Sequence, residues 1–112
     1  DADTRQRAAE RAELLTPISK AWCTDLGVEM ASVGIQVHGG YGYIEETGAA
    51  QHLRDARISP IYEGTNGIQA MDLVGRRLPM REGAVVADLL ADIAGTVSDL
   101  ASAGEDFDSI RV

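Results

Sequence analysis

From about residue 15 to residue 40 the apolar positions recur at helical spacing, not strand spacing. Ile18, Trp22, Leu26, Met30, Val33 and Val37 fall three or four residues apart and draw one stripe down a helix. Ala21, Val28, Ala31 and Ile35 widen the stripe until little polar surface is left, which predicts a helix buried on most sides within a bundle. On that reading Trp22, Cys23 and Met30 are packing residues. Gly27 and Gly34, two turns apart, share a face where a second helix can come close. Thr16-Pro17 has the chemistry of a helix start, a threonine cap with proline in the first turn. Gly39-Gly40 has that of a stop. Before this helix, "DADTRQRAAERAELL" is mixed in charge and reads as an exposed helix or its frayed end.

After the glycines, "YGYIEETG" reads as a loop and residues 46–57 as a short helix turning Ala49, Ala50, Leu53 and Ala56 inward. Pro60 pushes Ser59 out of the helical region and separates this helix from the next. The next runs from about Asn66 to Leu78 with Ile68, Met71, Val74 and Leu78 on one side. Asn66 and Gln69 stand at the spacing of a capping box. "PMREG" breaks the chain again, and a last helix over 84–102 carries Val86, Leu89, Leu90, Ile93, Val97 and Leu100. The acidic "AGEDFDSIRV" is expected to be a loose tail. The pattern predicts an all-α bundle of four to five helices without internal repeats.

Composition supports the helical reading: aromatic residues are 4% of 112, and alanine, leucine and acidic residues abound. The length allows at most one ordinary domain. The chain opens on Asp1, as expected of a mature product, an excised piece or part of something longer. A net charge of −8 argues against a nucleic-acid backbone as principal partner, leaving only the local cluster Arg76, Arg77 and Arg81. A single cysteine rules out an internal disulfide and a cysteine-rich zinc site. His38 and His52 have no second ligand at helical spacing, so no metal is expected. No apolar run approaches the ~20 residues of a membrane span and no signal peptide is visible, which leads us to expect a cytoplasmic chain.

Candidate chemistry gathers in two stretches. In "ISPIYEGTNGIQ" the carboxylate of Glu63 sits between Tyr62 and Gly64. Ile61 and Tyr62 offer an apolar, partly dry setting of the kind that suits a carboxylate to general-base work, and Gly64 leaves room for a substrate chain. Equally, Glu63 reads as a surface residue favoured by the dipole of the next helix. Thr65-Asn66-Gly67 opens that helix, either as an ordinary cap or as a set of free N–H groups for an anionic or polar ligand. In "QVHGGYGY" the glycines serve as a C-cap, or expose backbone N–H groups to a phosphate or ring, with Gln36 supplying an amide.

Taken in order and at their separations, "QVHGGYGY", "HLRDARI" and "IYEGTNGIQ" resemble the C-terminal helical domain of the acyl-CoA dehydrogenases, from about Leu15 to Leu78. The resemblance implies that Glu63 removes the α-proton of an acyl-CoA thioester while the β-hydride passes to FAD. It places Gly64 against the thioester, Tyr62 in the acyl pocket, and Thr65, Asn66 and Gly67 at the flavin. Gln36, Val37, His38, Gly39 and Gly40 would contact the ADP half of FAD bound mainly to a neighbouring subunit, in a homodimer or homotetramer. An electron-transfer flavoprotein or similar acceptor would take the electrons. Arg54, Asp55 and Arg57 would form an ion-pair scaffold behind the catalytic loop.

Relatives of ordinary length end soon after the "GRRL" position. The expected division is therefore 1–78, a helical domain incomplete at its N-terminus, and 79–112, an extension with one further helix. Such an extension resembles the larger branch of the family, some of whose members act on long or unusual acyl chains. The parts that supply most flavin and CoA contacts are absent, so catalysis by this length of chain alone is not expected. The alternatives are a non-catalytic helical oligomerisation module and the DNA-binding alkylation-response branch. The intact Glu63 and glycine motifs count against the first, the −8 charge against the second.

Overall fold

Ala2–His38 forms one unbroken helix, α1, of 37 residues, roughly 55 Å long at 1.5 Å per residue. The structure, a computed structural model, describes residues 1–102, so the expected loose tail lies outside the described residues. Asp1 caps α1 by accepting from the Thr4 N–H at 2.8 Å. The helix expected to begin at Thr16-Pro17 and the charged segment before it are a single element, with Pro17 inside it. Proline has a helical φ, and its cost is one missing hydrogen bond and crowding at the carbonyl of Glu13. Contacts on both sides of Pro17 offset that cost. Glu10 and Glu13 are tied to Arg81 and Arg77, and Lys20 to Asn66.

At the other end Gly39 terminates α1 with φ 61°, its N–H donating to the Gln36 carbonyl at 3.0 Å. The stretch expected to be a loop is helical in pieces: α2, Gly40–Tyr43, and a 3₁₀ turn, Glu45–Thr47. The Thr47 hydroxyl, bonded to the Tyr41 and Ile44 carbonyls, ties these turns together. Left-handed Gly48 then opens α3, Ala49–Ala56, which buries Ala50 and half-buries Ala49, Leu53 and Ala56, the inward set expected. Helix α4, Asn66–Asp72, passes into a π turn, Leu73–Arg77, closed by the Leu78 N–H on the Leu73 carbonyl at 2.9 Å. A 3₁₀ turn, Met80–Gly83, leads to α5, Ala84–Ser102. The fold is all-helical, with no strand among the described residues.

Helix α1 is the spine on which α2, α3, α4 and α5 all pack. Its inward face is Leu14 and Pro17, then the half-buried Lys20, Thr24, Val28, Ala31 and Ile35. That face is offset from the expected stripe. Trp22 is 71% exposed and Val37 79%; Ile18, Leu26, Met30, Val33 and Cys23 are exposed as well. Burial on most sides is thus not found, because every described partner of α1 lies on one flank. A Cβ at Gly27 or Gly34 would meet nothing within 4 Å, so no helix closes on that pair.

A similar offset appears in α4 and in part of α5, though not in α3. Helix α4 turns Asn66, Gln69 and Asp72 inward and leaves Ile68 and Met71 exposed; in the π turn Leu73 is half-buried and Val74 exposed, with Leu78 exposed beyond it. Helix α5 buries Val85, half-buries the expected Val86, Leu89 and Leu100, and exposes Leu90, Ile93 and Val97. The radius of gyration, 19.4 Å, exceeds the ~13 Å of a compact chain of this length. The result is a one-sided scaffold with a long apolar ridge.

Charge joins the spine to the segment after α4. Arg77 bonds Glu13 at 2.7 Å and Asp72 at 2.9 Å, Arg76 pairs with Asp72, and Arg81 bonds Glu10 at 2.8 Å. The basic cluster of the sequence is therefore neutralised internally. The Arg77 guanidinium holds the Asp72 carboxyl below its ordinary range, and Gln6 with Arg81 does the same for Glu10. Between the π turn and α5, Arg81, Glu82 and Gly83 are left-handed in succession, with φ 48°, 59° and 89°.

Candidate functional site

The loop after α3 winds up tightly before it presents Glu63. The Ser59 N–H donates to the Ala56 carbonyl, and the Ile61 and Tyr62 N–H groups both donate to the Ile58 carbonyl, at 2.9 and 3.0 Å. The Asn66 N–H then returns to the Pro60 carbonyl at 3.1 Å, closing the loop on itself. Within that closure Glu63 has φ 53° and Gly64 φ 84°. Glycine adopts such values freely; for glutamate the left-handed region costs on the order of 1–3 kcal/mol and persists only where the surroundings over-determine it.

The surroundings do so through backbone carbonyls. Gln69 Nε2 donates to the Glu63 carbonyl oxygen at 3.1 Å. Lys20 Nζ, from α1, donates to the Gly64 carbonyl at 2.9 Å and to Asn66 Oδ1 at 2.8 Å. Asn66 Nδ2 donates in turn to Asp25 Oδ1 at 2.8 Å, Thr24 Oγ1 at 3.1 Å and the Ala21 carbonyl at 3.2 Å. Thr24 and the amide of Asn66 thus lock the start of α4 to the middle of α1. Glu63's own side chain is exposed and makes no hydrogen bond or ion pair among the described residues. The backbone is clamped and the carboxylate is free.

Two expectations change here. The cap of α4 is Thr65, whose Oγ1 accepts from the Ile68 N–H at 3.3 Å; the Asn66/Gln69 capping box does not form, because both side chains hold the loop and α1. The apolar setting expected around Glu63 is not supplied by its neighbours, since Ile61 and Tyr62 are each 54% exposed. Behind the loop, Arg54 bonds Gln51 and pairs with Glu45 at 3.6 Å, and Asp55 accepts from Gln51. Arg57 has no ion pair among the described residues, so the three do not form one scaffold.

The second stretch lies at the C-terminal end of α1. Gln36, Val37, His38, Gly39 and Gly40 are all exposed. His38 Nδ1 lies 2.8 Å from the Gly34 carbonyl, which turns Nε2 outward. A Cβ at Gly39 or Gly40 would meet nothing within 4 Å, so a ligand can lie directly on this backbone. The tight glycine is Gly42, where a Cβ would fall 2.3 Å from the Ile35 carbonyl oxygen. That glycine seats α2 on α1.

Sequence reasoning missed Lys20, Thr24, Asp25 and Gly42, and gave Gln69 a capping role in place of the one it has. One signal was present for Lys20: with Leu14, Pro17 and Thr24 it follows helical spacing on the inward face, where an unmatched cation is unusual. Among the described residues no cluster of three His, Cys, Asp or Glu side chains is placed to hold a metal, and no helix is long and apolar enough to cross a membrane.

Comparison with known proteins agrees with the family resemblance. The family model described as acyl-CoA dehydrogenase, C-terminal domain, matches residues 2–78. The chain is 52% identical over 103 residues to 3-methylmercaptopropionyl-CoA dehydrogenase of Ruegeria pomeroyi, covering 91% of this chain and 17% of that protein. It is 36% identical over 97 residues to a butyryl-CoA dehydrogenase of Syntrophomonas wolfei, covering 87% and 16%. With the caffeyl-CoA reductase-Etf complex subunit CarC of Acetobacterium woodii it shares 34% identity over 76 residues, covering 68% and 19%. The chain spans less than a fifth of the length of these curated relatives.

Proposed function

The chain belongs to the acyl-CoA dehydrogenase family, and from that premise we propose that it is the base-bearing helical part of a longer FAD-dependent enzyme that desaturates acyl-CoA thioesters. Residues 1–78 form the family domain on this reading, and 79–112 an extension carrying α5. The observation that carries it is the presentation of Glu63: a free, exposed carboxylate on a left-handed turn whose flanking carbonyls are held by Gln69 and Lys20.

Glu63 takes the α-proton of the thioester onto a carboxylate oxygen and becomes the neutral acid. Gly64 lies against the thioester on this reading, on the side away from Gln69 and Ile68, which fill the space a Cβ would take, and Tyr62 lines the acyl chain. Bound FAD supplies the two-electron acceptor for the β-hydride. The chain's surfaces fit that group: Gln36, Val37, His38, Gly39 and Gly40 offer an exposed turn with open space over its glycines. Thr65, Asn66 and Gly67 offer a second. There the Asn66 amide is engaged with α1, so this residue serves by holding the turn, while Gly67 is exposed.

The apolar ridge on α1 and α4 supports activity within a larger assembly, a homodimer or homotetramer whose neighbouring subunit shares the cofactor. Short acyl-CoA thioesters, including butyryl-CoA and 3-methylmercaptopropionyl-CoA, are the first substrates to try, with an electron-transfer flavoprotein as acceptor. The test is Glu63→Gln in the intact protein. Turnover should be lost with flavin still bound, and near-normal turnover would remove Glu63 from the reaction.

A further inference from the structure

We infer that Lys20 is a positioning residue for Glu63, fixing the Glu63–Gly64 turn to α1 through the Gly64 carbonyl. The inference rests on the reading of Glu63 as the base. An ammonium carries three donors on a flexible stem, and Lys20 directs two of them to neutral oxygens, Gly64 O at 2.9 Å and Asn66 Oδ1 at 2.8 Å. Both bonds are charge-assisted and correspondingly strong.

The pairing sets Lys20 apart from the other cations that reach across the fold. Arg77 and Arg81 bond carboxylates on α1 and cross-link its first half to the segment after α4. Docking of these elements therefore does not depend on Lys20. Lys20 is half-buried, has no ion pair among the described residues, and reaches 44 residues along the chain to one carbonyl. That carbonyl belongs to the residue directly after the base, where the backbone is left-handed. Without the bond, the neutral Gln69 amide is the side chain left holding the turn, at 3.1 Å from the Glu63 carbonyl and 3.5 Å from that of Gly64. The weaker clamp lets the turn relax more often to a right-handed conformation, which swings the carboxylate away from its productive position.

The experiment compares Glu63→Gln, Lys20→Met, Lys20→Gln and Lys20→Arg in the intact flavoprotein. For Lys20→Met, kcat on butyryl-CoA should fall about 10- to 100-fold, the scale of a catalytic group displaced by about an ångström. KM should change by less than about threefold, since ground-state binding is intact. Flavin content should match the parent, and the α-deuterium isotope effect should grow as proton abstraction becomes limiting. Lys20→Arg, which keeps the cation, should recover most of the rate.

Parental kcat and isotope effect in Lys20→Met, with Glu63→Gln inactive, overturn the positioning role alone. An active Glu63→Gln overturns the base itself. Loss of flavin or of soluble protein in Lys20→Met and also in the milder Lys20→Gln makes Lys20 structural and likewise overturns the inference.

Discussion

The side-chain amide of Gln69 donates to the carbonyl oxygen of Glu63 at 3.1 Å, reaching back six residues across Gly64. A residue of α4 thereby holds the turn that precedes it. Replacing Gln69 by Leu should release that carbonyl at a cost of about 1 kcal/mol, the worth of an ordinary hydrogen bond. Because Lys20 still grips Gly64, the fall in kcat should be smaller than in Lys20→Met. Thermal unfolding and steady-state turnover of the intact protein check the two parts.

Gly64 is constrained twice over. Its φ is 84°, and a Cβ there would stand 3.1 Å from Gln69 Nε2 and 3.3 Å from Ile68 Cγ2. Gly64→Ala should destabilise by about 1–3 kcal/mol through backbone strain and should also lower kcat. A thermal midpoint equal to the parent's would show that the turn tolerates a side chain.

The glycines near the end of α1 should separate cleanly. Gly42→Ala forces a Cβ toward the Ile35 carbonyl and should unseat α2, seen as lost thermal stability. At Gly40 a Cβ would meet nothing within 4 Å, so Gly40→Leu should leave stability almost unchanged while weakening flavin retention or subunit assembly. Flavin absorbance and gel-filtration mass read the second effect. Unchanged values for Gly40→Leu would count against a cofactor lying on this turn.

Acid should loosen the joint between α1 and the segment after α4. Asp72 and Glu10 are held below their ordinary values of 3.8 and 4.5 by Arg77 and by Gln6 with Arg81. Folded carboxyls with lowered pKa contribute stability that is present above those values and is lost as pH falls through the lowered ones. The contribution should thus be constant near neutrality, begin to fall as pH approaches the ordinary carboxyl values, and be lost progressively as pH drops through the lowered ones. Asp72→Asn should flatten the acid limb of a stability–pH profile; an unchanged limb would place the acid sensitivity elsewhere.

Parts of this architecture were legible because their causes are local. Ala50 and Leu53 follow helical spacing between Gly48 and Pro60, and α5 is bounded by Gly83 and patterned by its own apolar residues. The continuity of α1 was not legible, because the local rule at Pro17 is outweighed by ion pairs to residues more than 60 positions away. The stripe of Trp22 and Met30 was legible as an apolar face but not as an exposed one. Periodicity marks what a helix offers for burial, and only the neighbours decide whether it is covered. The clamp at Glu63 left almost no trace, because the acceptors of Lys20 and Gln69 there are backbone carbonyls, which any residue supplies.

The length of α1 gives it a further property. Lys20 and His38 stand on one uninterrupted helix, roughly 27 Å apart along its axis at 1.5 Å per residue. The turn bearing Glu63 and the turn at Gly39 are thereby indexed to a common shaft. Adding one residue between them would advance the far turn by about 1.5 Å and rotate it by about 100°, aiming it at a different quadrant. Substitution at an exposed position of this stretch leaves that relationship intact, whereas an insertion breaks it. The phase of the helix, more than the identity of its exposed residues, sets how the two turns face each other.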